Sequence, residues 1–165
     1  MEMTGEQLIP LPREATWRAL NDTATLKDCI PGCETIEQVS DSEYQLTMTA
    51  KVGPVSAKFK GKMTLSDVDP PNAYTLVFEG QGGVAGFAKG QANVQLTPNA
   101  EGTRLGYVVK AMIGGKLAQV GSRLIDGVAK KMAEQFFTAF NQRVSGEQGE
   151  TADKFFSIPP RGVRQ

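Results

Sequence analysis

The sequence predicts an α+β domain in which a curved antiparallel sheet wraps a long C-terminal helix around an apolar pocket. Three observations carry this. From Tyr44 to Ala111 apolar and polar residues alternate between turn signals, as the strands of a meander must. From Lys116 to Val144 the pattern changes to the helical period. Small residues crowd the inner faces of both regions, so that either large side chains fold across the gap into a solid core or a hollow remains for a ligand.

The elements follow in order. Residues 2–10 alternate weakly and read as a first strand. Pro12 suits a helix start, and Pro12–Asn21 carries Trp17 and Leu20 at helical spacing. Trp17 is expected to fix that helix in the core. Asp22 and Thr23 cap a second short helix that runs to Cys29. Ile30-Pro31-Gly32 ends it, because a residue before proline is pushed out of the helical region. Tyr44, Leu46, Met48, Ala50 and Val52 then share one face of a strand. After Gly53-Pro54, Val55, Ala57, Phe59, Gly61, Met63 and Leu65 share the inner face of the next. Asp69-Pro70-Pro71-Asn72 turns the chain. Tyr74, Leu76 and Phe78 continue the pattern up to a flexible stretch at Gly80–Gly86. Ala88, Gly90, Ala92, Val94 and Leu96 follow, and beyond a second turn Leu105, Tyr107, Val109 and Ala111. Strands joined by short turns make an antiparallel meander, here of about six to seven strands.

Lys116–Val144 reads as one helix. Lys116, Arg123, Lys130, Glu134 and Asn141 form its polar stripe, and Leu117, Gly121, Leu124, Ile125, Val128, Met132 and Phe136 lie opposite. Phe137 falls near the polar stripe and is expected to be exposed. The chain divides into a folded domain over residues 1–144 and a polar tail over 145–165, with Phe155 and Phe156 available to dock.

Composition narrows the function. The 165 residues suffice for one domain with a sizeable core. Eighteen basic residues balance eighteen acidic ones, so nothing points to a nucleic acid partner. There is no histidine, which removes Ser-His and Cys-His catalysis and the commonest transition-metal ligand. Cys29 and Cys33 are too few to build a zinc site and are expected to be free thiols. Met1-Glu2-Met3-Thr4-Gly5-Glu6 holds no basic region and no apolar region of a leader, and no run is long enough to span a membrane, so a cytoplasmic protein with at most peripheral membrane contact is expected.

The expected cavity is lined by Met48 and Ala50, by Ala57, Phe59, Gly61 and Met63, and by Leu76, Phe78, Phe87 and Ala92. Tyr107 and Val109 close the sheet side, and the helix contributes Leu117, Gly121, Leu124, Ile125, Val128 and Met132. Among inner positions only the Tyr74 and Tyr107 hydroxyls are polar, so no group is placed for acid–base chemistry and binding is expected rather than catalysis. Gly80–Gly86 lacks the βαβ context of a phosphate loop. With Ile113-Gly114-Gly115 it is expected to flank the cavity mouth, either as a gate or as a plain hairpin. Lys58, Lys60 and Lys62, with Lys51 beside them, form a solvated sheet face or a site for an anionic partner.

Several of these segments together resemble a known family. They are Trp17-Arg18-Ala19-Leu20-Asn21-Asp22, Cys29-Ile30-Pro31-Gly32-Cys33-Glu34, Gly53-Pro54-Val55, Phe59-Lys60-Gly61 and Gly86-Phe87-Ala88-Lys89-Gly90. Gly114-Gly115-Lys116-Leu117 through Ile125 and Met132-Ala133-Glu134-Gln135-Phe136-Phe137 complete the set. Over about residues 1–144 the chain resembles the carbon monoxide dehydrogenase CoxG family of the START-like (SRPBCC) superfamily. The resemblance implies a helix-grip fold with a deep hydrophobic cavity and no catalytic residues or resident cofactor. It also implies a cytoplasmic protein serving a carbon monoxide dehydrogenase or related molybdenum hydroxylase, by recruiting it to the membrane or by carrying a quinone or lipid. Two alternatives stand beside this: a polyketide-cyclase or isomerase-like enzyme with a polar cavity, and an assembly factor with no ligand. A homodimer through the tail or a sheet edge stays open.

Overall fold

The computed structural model describes residues 1–156, with side chains to Gly146. Strand β1 spans Glu2–Ile9 and its alternation ends on the fully buried Ile9. Helix α1 (Arg13–Leu20) begins after Pro12, which is extended (ψ 162°) and caps without a side chain. Thr16, fully buried, donates its hydroxyl to the Pro12 carbonyl at 2.9 Å. Helix α2 (Thr23–Cys29) is capped by Asp22, whose carboxylate accepts from the Thr25 amide at 3.0 Å and its hydroxyl at 2.7 Å. It stops where Ile30, before Pro31, turns extended.

The remaining strands are β2 (Cys33–Ser40), β3 (Glu43–Val52), β4 (Val55–Asp69), β5 (Ala73–Gln81), β6 (Phe87–Asn99) and β7 (Gly102–Gly114). They form one antiparallel sheet in the order β1-β7-β6-β5-β4-β3-β2. The chain is thus a meander from β2 to β7, with β1 added beside β7. Strand β2 carries no alternation in the sequence. It is an edge strand with register shifts at Cys33/Thr35 and Gln38/Ser40, and each shift moves the side chains to the other phase.

Two expectations are corrected. Gly80–Gly86 is not a structureless stretch: β5 continues to Gln81, and Gly83–Ala85 makes a 3₁₀ turn closed by Gly82 N–H to Gly86 C=O at 2.8 Å. The long helix is not continuous from Lys116. A short helix α3 (Lys116–Gln119) breaks at Val120–Gly121, and α4 (Ser122–Phe156) begins beyond it. Gly121 sits at φ +99°, outside the helical region. Helix α4 also runs past the boundary read at residue 144. The docking expected of Phe155 and Phe156, and the remainder of the tail, lie outside the described side chains.

Two closed clusters bracket the space between sheet and helix. At one end Ile9, Leu11, Leu20, Cys29, Leu105 and Phe140 pack together, reinforced by Trp17, which meets Tyr74 edge-on at 5.1 Å. At the other end Val52, Phe59, Ala85 and Leu117 close the fold. Phe137 belongs to the first cluster, 9% exposed and stacked on Tyr107 at 5.6 Å, so its expected exposure is wrong. Two stretches of α4 face different partners. Ile125, Val128 and Met132 face the sheet across the larger lobe, and Phe137, Phe140 and Val144 turn toward the cluster built by β1, α1 and α2. A wheel started at Lys116 carries one apolar direction through the break and along the whole helix, and so misplaces Phe137.

Candidate functional site

The inward rungs of the sheet change in size from one end to the other. Across β5, β6 and β7 they read Phe78–Gly90–Ala111, then Leu76–Ala92–Val109, then Tyr74–Val94–Tyr107. Leu96 and Leu105 follow, both in the closed cluster. The middle rungs are small, and the facing stretch of α4 presents Ile125, Val128 and Met132, which do not reach across. Gly90 is required there, since a Cβ would collide with the Lys110 carbonyl and the Ala111 Cα.

The result is a hollow of two adjoining lobes. One, of about 340 Å³, receives Met48 and Ala50 from β3, and Phe59, Gly61 and Met63 from β4. Leu76 and Phe78 enter it from β5, with Leu117, Ile125, Val128 and Met132 from the helices. The second, of about 280 Å³, lies toward the aromatic half of α4 and holds Ala92, Tyr107 and Val109. Ile30, Met63 and Leu76 border both lobes. Most lining residues stay half-buried although they point inward, because the interior itself is open.

Four expected lining residues border neither lobe. Ala57 packs with Val55 in the closed cluster at the hairpin end. Phe87 shares the outer face with Lys89, whose ammonium sits 5.8 Å from the ring centre; alternation from Ala88 and Gly90 places it there. Gly121 forms the helix break, with open space where a Cβ would stand. Leu124, 38% exposed, lies over Gly53 at the β3–β4 hairpin. Sequence reasoning left out Ile30, Leu46, Ala88, Ala111 and Ile113, which border the larger lobe. All but Ile30 share strand faces with residues it did include, so alternation held the signal. Ile30 gave none, because its place follows from how the α2–β2 turn folds under the sheet.

The glycine segments meet at the closed end. A Cβ on Gly86 would strike the Gly114 carbonyl, and one on Gly115 the Gly86 Cα at 2.6 Å. Backbones therefore touch directly, and Ala85 is buried against Phe59 and Leu117. This is a packed seam on the Ala85–Gly86 side, while Gly83 and Val84 at its tip are exposed, Val84 to 85%.

Charge stays outside the hollow. Lys62 and Glu79 border the larger lobe but are themselves exposed, paired across the outer face of β4 and β5. Of the lysine row, Lys58 binds Glu34 at 3.0 Å and Lys62 approaches Glu43 at 3.8 Å. The hydrogen bond from Lys58, then that from Thr49, holds the Glu34 carboxyl below its ordinary value. Burial pushes the Tyr74 phenol well above its ordinary range and also raises Tyr107 and Tyr44. Both cysteines are free thiols, raised chiefly by burial. Among the described residues no cluster of acidic, cysteine or histidine side chains is arranged to hold a metal ion.

With this geometry in place, comparison with known proteins is decisive at family level. The sequence model of the carbon monoxide dehydrogenase CoxG family matches residues 5–145. The chain belongs to the CoxG family. No functionally curated protein matches it by sequence. Among solved structures, a conserved protein from Geobacillus kaustophilus is similar at 31% identity and a TM-score of 0.83, over 88% of this chain and 96% of that one. A protein from Thermus thermophilus follows at 18% identity and TM-score 0.67, covering 89% and 99%. The Zhui aromatase/cyclase from a Streptomyces species shares the fold at 10% identity and TM-score 0.61, covering 88% and 93%. This CoxG-family chain therefore has the helix-grip fold of SRPBCC-like proteins, and its architecture is that of a ligand-binding domain.

Proposed function

We propose that this chain is a non-catalytic binding protein for a lipophilic small molecule, a quinone or another lipid, held in the hollow between the sheet and α4. The observation that supports this is an interior of two adjoining apolar lobes whose charged side-chain neighbours, Lys62 and Glu79, are exposed on the outer face of the sheet. General acid–base catalysis needs a positioned titratable group near neutrality, and raised phenols do not supply one. Two lobes of about 340 and 280 Å³ lie, when joined, inside the usual range of ligand pockets of about 300–1,000 Å³. Burial of the ligand drives binding at about 25 cal/mol per Å² before ordering costs.

In this reading the protein works in the cytoplasm as an accessory to a carbon monoxide dehydrogenase-type molybdenum hydroxylase. It delivers the quinone or brings the enzyme to the membrane through peripheral contact. No described helix is long and apolar enough to cross a membrane.

Native mass spectrometry of protein purified without detergent, followed by organic extraction, tests the proposal. A quinone or lipid released at near one-to-one ratio is the expected result. Protein that arrives empty and takes up neither added quinones nor neutral hydrophobic dyes would exclude ligand binding and leave an assembly role.

A further inference from the structure

Helix α3 is attached to the fold by very little. Between Lys116 and Leu124 only Leu117 is buried and only Val120 half-buried. Leu117 enters the cluster of Val52, Phe59 and Ala85, and Val120 packs at its rim. The hydrogen bonds that close α3 are local, from the Ala118 amide to the Gly115 carbonyl at 3.1 Å and from the Gly121 amide to the Ala118 carbonyl at 3.3 Å. Among the described residues no side chain of α3 makes a hydrogen bond or an ion pair.

The residues that bracket α3 are both left-handed glycines, Gly115 at φ +72° and Gly121 at φ +99°. Gly115 is pinned in the seam against Gly86, whereas Gly121 has open space where a Cβ would stand. The first is a fixed end and the second is free to turn. Leu117 also borders the larger lobe, so its withdrawal from the cluster uncovers that end of the hollow.

The sequence carries a second arrangement for the same residues. Leu117, Gly121, Leu124, Ile125 and Val128 share one face at helical period, as though α3 and α4 were one helix, yet the fold interrupts that period at Gly121. Function or strain sits where local pattern and fold disagree.

We propose that α3 is a lid on the larger lobe, latched by Leu117 and hinged at Gly121, which opens when Gly121 takes helical dihedrals and α3 swings toward the line of α4. The proposal rests on the carrier reading and adds a route by which the ligand passes while the sheet stays folded. A lid closed nearly all the time, in filled and empty protein alike, sets the rates of entry and exit together, so a shift in its balance leaves affinity unchanged.

Stopped-flow uptake and release of the neutral dye Nile red tests it. Left-handed dihedrals disfavour alanine by about five- to thirty-fold in a two-state balance, and alanine favours the helix. Gly121→Ala should therefore speed both rates by about that factor at unchanged affinity. Ser122→Pro acts in the opposite sense: proline is accepted as the first residue of α4 but pushes Gly121 out of the helical region, so both rates should fall. Gly127→Ala, inside α4 with open space at its Cβ, should match the wild type. Hydrogen–deuterium exchange reads the lid in ligand-free protein: the amides of residues 117–121 should exchange faster in Gly121→Ala and slower in Ser122→Pro. Wild-type dye kinetics and deuterium exchange in both variants, or rates that change only with a matching loss of affinity, would overturn the lid and leave the carrier reading intact. A wild type that takes up no dye, with deuterium exchange still shifted in opposite directions by the two variants, would sink the carrier reading and keep the hinged helix.

Discussion

Burial of the Tyr74 phenol makes stability depend on pH. Its pKa in the folded chain lies above the ordinary 10.0, because burial disfavours the phenolate. The unfolded chain releases that proton more readily, so the stabilising contribution is complete below about pH 10 and is lost as pH rises toward the folded value. Melting temperatures between about pH 8 and 11 should fall less steeply for Tyr74→Phe than for wild type, and parallel curves would remove this account. Gly86 makes a second test. At φ +110° and against the Gly114 carbonyl it has no room for a side chain, so Gly86→Ala should cost roughly 1–3 kcal/mol in urea unfolding. The cysteines differ by access: Cys29 is 3% exposed and Cys33 half-buried. Iodoacetamide should therefore modify Cys33 first, and equal rates would mean that the α2–β2 turn opens readily.

Helix α4 shows what an element inherits from its neighbours. Phe140 is fully buried, and Phe140→Ala should destabilise by about 3–5 kcal/mol. Leu124→Ala, at a position 38% exposed, should cost less than about 1 kcal/mol in the same denaturation assay. The reverse order would restore the single apolar stripe read from a continuous helix. Here the legibility of the sequence has a physical limit. Helical periodicity locates a helix and its amphipathicity, but one left-handed glycine resets the phase, and a helix that crosses from a sheet to two short helices changes its buried side on the way. The strands were easier to read, because period-two alternation survives wherever the ladder is regular. It fails at β2, where two register shifts leave Ile36 and Val39 out of phase.

At the scale of the molecule, the hollow exists because small rungs on the sheet face a helix that does not reach them. Ala111→Leu enlarges a rung in the larger lobe and should reduce Nile red binding about ten-fold or more. Its melting temperature should hold or rise, since the added side chain enters space and not a packed core. Lost stability with retained dye binding would mean that the lobe is closed in solution. At β2 the exposed Glu34, Glu37 and Gln38 and the two bulges oppose pairing with another strand.

Local sequence by itself determined the alternating strands, the turn residues, the Asp22 cap, the existence of a long amphipathic C-terminal helix and the apolar character of the inner faces. Each depends on backbone preferences and spacing within a few residues. Only the tertiary structure decided that the inner faces leave a two-lobed void, that Ile30 stands between the lobes, and that Phe137 is core while Leu124 and Phe87 lie outside it. A void is a difference between facing volumes. Its size depends on sheet curvature and on the distance at which α4 is held by the clusters at either end, and no local pattern carries those quantities.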